Sequence, residues 1–132
     1  MILDEAMVSC LSPVFGDGQV YSNVSPEILE RDINRSFRPF AIFRSAGGEY
    51  HKALERFYFE PHDGKSNYIV QLEVWAARIA QARRLSFDAR DAIIACQHFL
   101  GVYREGGMID RNEFGNKLFG VFQEFDLWLA NP

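Results

Sequence analysis

The chain runs thirty residues before its first basic side chain. Asp4, Glu5, Asp17, Glu27 and Glu30 are the only charged residues in that stretch. A secretory signal begins with Lys or Arg and continues into an apolar run, so the N-terminus does not fit one. Long hydrophobic runs are lacking too. Charge interrupts each of them before the roughly eighteen residues that a membrane-spanning helix requires. A soluble, cytoplasmic protein with no membrane association is therefore expected. Cysteine is scarce. Cys10 and Cys96 are the only two, and neither has a Cys or His at zinc-binding spacing. Cys96 lies in the run AIIACQHFLGVY, where it reads as a small core residue. Pairing of the two is left open, and a reducing compartment is the simpler expectation. Nucleophile-elbow, phosphate-loop, dinucleotide and HExxH patterns are absent as well, and no cofactor is expected.

What is present is apolar and aromatic. The 132 residues are 48% hydrophobic and include 12 phenylalanines. This length suits one domain spanning residues 1–132, and such a domain buries roughly two-thirds of its unfolded surface without a metal or disulfide. Aromatic side chains in this number can build a core or an interface equally well. The net charge of −4 is unevenly placed. Residues 1–30 carry −5, residues 31–104 carry +4, and residues 105–132 carry −3. The middle of the chain is basic and both ends are acidic.

Hydrophobic spacing reads as helical along most of the chain; the short apolar segment PFAIFRSAGG, residues 39–48, fits either one or two helical turns or a buried extended piece. Ile2, Leu3, Ala6, Met7, Cys10 and Leu11 predict a first helix that stops at Ser12-Pro13. Ser25-Pro26-Glu27 predicts a second, ending near Ser36 before Pro39. Tyr50, Ala53, Leu54 and Phe57 suggest a third. Ile69, Leu72, Ala76 and Ile79 form the stripe of a fourth, and Ser86 caps a fifth that continues to Gly106. Phe114, Leu118, Val121, Phe122, Phe125 and Leu129 predict a last helix, in which Gly115 and Gly120 each cost roughly 1 kcal/mol relative to alanine. The expected fold is all-α: a helical bundle of five or six helices, the last three forming an antiparallel core.

One stretch invites a specific chemistry. Gly107, Ile109, Asp110, Glu113 and Phe114 follow one another as in the second half of a calcium loop, and the segment resembles an EF-hand. The resemblance implies oxygen ligands at its first, third and fifth positions. Those positions hold Val102, Arg104 and Gly106, which offer none. A structural helix-loop-helix is expected instead, with Ile109 as a hydrophobic staple and Asp110 and Glu113 as a capping pair.

Other constellations are weaker. His51 and Glu55 are four apart, and Glu60, His62 and Asp63 share a turn; together they would serve a small enzyme or a metal site. His98 reads as a histidine of a buried helix. Arg31, Arg35, Arg38 and Arg44 form one basic group, and Arg78, Arg83 and Arg84 another. Trp128 stands off the last apolar stripe between acidic residues, which suits a partner-binding edge. The expected function is non-enzymatic protein–protein binding, as an adaptor, inhibitor or immunity-type antagonist. Arg31, Arg35, Arg38, Arg44 and Trp128 would meet a partner with an acidic or apolar surface, and a homodimer is left open. The alternatives are nucleic-acid binding through the basic middle, and an enzyme built on His51/Glu55 and His62/Asp63.

Overall fold

The computed structural model describes residues 2–23, 38–45, 65–113 and 118–130. The elements are α1 (Leu3–Phe15), β1 (Val20–Ser22), β2 (Phe40–Ser45), β3 (Lys65–Ala76), α2 (Ile79–Ile94), β4 (Phe99–Glu113) and β5 (Leu118–Ala130). The strands form one sheet in the order β1-β2-β3-β5-β4. The expected all-α bundle is thereby overturned, and so is its antiparallel core of three final helices. The helices expected near residues 26–36 and 50–59 lie outside the described residues.

Of the predicted helices, the first survives. Leu3, Ala6, Met7, Leu11 and Phe15 make its buried stripe. It does not stop at Ser12-Pro13, because proline near a helix end removes only one backbone bond, and Pro13 is carried within the last turn. Gly16 then takes a φ of +95° and Gly18 one of +77°, turning the chain into β1.

The stripe read as a fourth helix is a strand up to Ala76, and its last residue, Ile79, begins α2. Ile69 points to one face of β3, while Leu72 and Ala76 point to the other, as the pairings Ile69↔Asp126, Leu72↔Gln123 and Ala76↔Phe119 require. Both faces are occupied. Val70, Leu72 and Val74 are buried on one side, and Asn67, Glu73 and Trp75 on the other. A strand buried on both faces loses the alternation that identifies it. β5 hides in the same way. The stripe Leu118–Phe122 belongs to one face and Val121–Phe125–Leu129 to the other, yet the two interleave at helical spacing.

The fifth helix exists but ends at Ile94, and β4 begins at Phe99. Ser86 does not cap it. It lies buried in the middle of α2 and donates from Oγ to the carbonyl of Ala82 at 2.7 Å. The EF-hand-like stretch is extended, not a helix-loop-helix: residues 103–113 belong to β4, Ile109 is exposed rather than a staple, and Asp110 caps nothing.

β3 and β4 each run antiparallel to β5, so they are parallel to one another with β5 between them. With α2 as the crossover, they make a split βαβ unit. Both helices pack on one face of the sheet. The core there joins Met7 and Leu11 of α1, Phe43, Leu72, Phe125 and Leu127 of the sheet, and Ile93 of α2. Each such side chain contributes about 1.5–3 kcal/mol by leaving water. The buried stripe of α2 is Ala82, Ser86, Ala89 and Ile93, mostly small residues that let the helix lie close to the strands. Gln123 of β5 donates from Nε2 to the Ser86 carbonyl at 3.0 Å and ties the two together.

Cys10 of α1 and Cys96, in the turn after α2, form a disulfide with Cα atoms 5.9 Å apart, inside the usual range. The bond closes a loop with a sequence separation of 86 residues, which in the chain-entropy estimate is worth about 4–5 kcal/mol. Among the described residues, no helix is long and apolar enough to cross a membrane.

Candidate protein-docking face

The face of the sheet away from α1 and α2 is divided. Register assigns Phe40, Ile42 and Arg44 of β2 to it, with Asn67, Ile69, Gln71, Glu73 and Trp75 of β3. β5 adds Leu118, Gly120, Phe122, Glu124, Asp126 and Trp128, and β4 adds Tyr103, Ile109 and Arg111.

The β2–β3 half is closed. Phe40, Ile42, Trp75 and Leu118 form a second buried cluster. Glu73 lies inside it, only 4% exposed. A buried carboxylate is stable only with its oxygens paired. Oε2 of Glu73 accepts from Arg44 Nε at 2.6 Å, and Oε1 accepts from the Trp75 indole N–H at 3.2 Å. Gly120 lies under the Trp75 ring: a Cβ there would stand 2.8 Å from two ring carbons. That contact is why β5 carries a glycine here.

Phe122 marks the boundary. Its ring meets Trp75 edge-on at 5.4 Å, and the Arg111 guanidinium lies 4.9 Å above it. Beyond it the β4–β5 half is open. Tyr103 is 64% exposed and Ile109 61%, and Leu100 on the same strand is 55% exposed. Asp126 is taken by the Asn67 side-chain amide, which also donates to the Leu127 carbonyl at 3.3 Å. Glu124 is exposed beside it. Trp128 is half-buried across Gly101, where a Cβ would meet its ring at 3.4 Å.

The structure separates the residues expected to bind a partner. Arg31 and Arg35 lie outside the described residues. Arg38 is exposed just before β2, with its guanidinium against Gly16 at the end of α1. Arg44 and Trp128 share the divided face but not its halves: Arg44 is paired with Glu73 in the closed half, and Trp128 lies in the open one.

In the second basic group, Arg83 binds the Asp110 carboxylate, with Nε at 3.1 Å. That hydrogen bond and the attraction of the carboxylate raise the Arg83 pKa further above its usual value. The acid that resembled a calcium ligand thus already holds a cation. Arg78 and Arg84 border a shallow recess with Ala80 and Gln81.

His98 is not in a buried helix. It is exposed in the turn after α2, 3.3 Å from Ser9 Oγ. His51, Glu55, Glu60, His62 and Asp63 lie outside the described residues, and among the described ones no three potential ligands could hold a metal.

Sequence reasoning missed Tyr103, Ile109, Phe122 and Glu124 as a surface. The signal was the alternation Val121, Gln123, Phe125, Leu127, Leu129 against Phe122, Glu124, Asp126, Trp128, two strand faces in one run. Neither a known protein-family model nor a curated protein matches the chain.

Proposed function

We propose that this protein acts by binding another protein surface, without catalysis, and that the β4–β5 half of the divided face makes the contact. One observation carries the reading. Tyr103 and Ile109 stand more than half exposed on a face whose other half buries Trp75, Phe40 and Ile42. Large apolar side chains gathered on one open surface, with charge at the rim, mark a contact region. The fitting partner is apolar at its centre and carries both signs of charge around it, because Arg111 and Glu124 flank Ile109 and Phe122 here. Trp128 belongs to this contact, and Arg44 belongs to the closed half.

The test is binding by the double variant Tyr103→Ser/Ile109→Asp, captured from native-host lysate with nuclease added. Binding should fall by at least about tenfold while the circular-dichroism spectrum stays unchanged. Undiminished capture would reject the surface.

A second reading, nucleic-acid binding, has one observation in its favour: Arg78 and Arg84 border a recess beside Gln81. It requires affinity that falls steeply with salt. No binding to an oligonucleotide at low salt would remove it. A cytoplasmic location belongs to the main proposal, whereas the Cys10–Cys96 bond favours an oxidising compartment. Alkylation of protein taken directly from cells decides between them: two reactive thiols support the cytoplasm, and none rejects it.

A further inference from the structure

We infer that the surface meeting the β4–β5 half is the same half of a second copy of this chain, related by a two-fold axis. This deepens the docking reading and rests on it.

The order of side chains along β5 carries the inference. Gly120, Phe122 and Glu124 are successive residues on the divided face. Arg111 is paired with Gly120, and Ile109 with Phe122. The face therefore reads basic, apolar, acidic, with the basic and acidic positions each about 7 Å from the apolar one. A two-fold axis through the Ile109–Phe122 position exchanges the two ends. It stacks Ile109 and Phe122 on their own copies, and it brings Arg111 of each chain to Glu124 of the other. An isologous contact demands this kind of self-complementarity, whereas a contact with an unrelated protein does not. Glu124 can serve as that acid, whereas Asp126 is held by Asn67.

The contact uses the face and not the strand edge. Among the described residues β4 pairs with β5 alone, but its register shifts between Phe99 and Gly101 and again between Glu105 and Ile109. Bulges of this kind bend a strand and interrupt the ladder that an added strand would need. They leave the side chains of the face as the means of association.

Sedimentation equilibrium of the full chain tests this. The wild type should form a dimer. Arg111→Glu and Glu124→Arg should each weaken it by at least about tenfold, since each creates two like-charge contacts per dimer. Mixed together, the two variants should dimerise like the wild type, because every such contact in the mixed pair joins opposite charges. The double variant Arg111→Glu/Glu124→Arg should also recover. Both positions are exposed, so each variant should keep the wild-type circular-dichroism spectrum.

A dimer whose affinity ignores both single variants, or singles that fail to rescue each other, would overturn the two-fold arrangement. A strictly monomeric wild type would overturn the second copy as occupant. If Ile109→Asp then still abolished capture of a different protein, the docking reading would stand without it. If that variant changed nothing either, both would fall.

Discussion

Two halves of one sheet face carry the same kinds of side chain and treat them in opposite ways. On the β2–β3 side, an arginine, a glutamate and a tryptophan are drawn together and buried: Arg44 and the Trp75 indole occupy both oxygens of Glu73. On the β4–β5 side, Arg111, Glu124, Tyr103 and Ile109 are left in water. The difference shows that composition alone does not mark an interface. In the closed half the charged groups serve the fold, because they satisfy one another away from solvent. In the open half they are set apart along the strand, and the proposed contact would supply their complement.

The largest effect should come from emptying the closed half. Trp75→Ala removes the ring that covers Gly120 and touches Phe122, and should destabilise the protein by about 3–5 kcal/mol in denaturant melts. A loss below about 1 kcal/mol would mean that this half is no core. Glu73→Ala comes next. It removes the acceptor of the Arg44 Nε–H and of the Trp75 N–H, and should cost about 2–3 kcal/mol, less than a fully buried pair because Arg44 is partly solvated. If the variant were as stable as the wild type, the ion pair would be incidental to the fold. At the other extreme, Ile109→Ser should change stability by no more than about 0.5 kcal/mol, since an exposed side chain gives up little on unfolding. A large loss there would erase the contrast between the halves.

The helical reading failed where burial was greatest. In β3, Val70, Leu72 and Val74 face the helices while Ile69, Glu73 and Trp75 face away, and both sets lie against protein. The resulting run, YIVQLEVWA, contains a helical stripe and a two-sided strand at once. Its β-branched and aromatic content favoured the strand. In β5, Gly120 was the informative residue: a costly break in a helix, and a necessary space under the Trp75 ring in a strand. α1 was legible because it is buried on one side only, so its polar face kept the spacing clear. The candidate surface was partly legible. Trp128 was read as lying off the main stripe, and register puts it on the divided face, but Tyr103 was assigned to the end of the fifth helix and Ile109 to the loop after it, because Gly106-Gly107 and Asp110 imitate a helix end and a helix start.

By itself, the sequence determined what local chemistry can specify: one helix with its buried stripe, a turn at Gly16–Gly18, a basic middle between acidic ends, and a calcium-like loop without its ligands. The tertiary structure alone decided which apolar residues share a face, that Cys10 meets Cys96, and that Arg44 belongs to Glu73 while Arg111 lies over Phe122. Those relations join positions far apart in the chain. They follow from strand register and from which face is covered, and neither is written in the spacing of neighbouring residues.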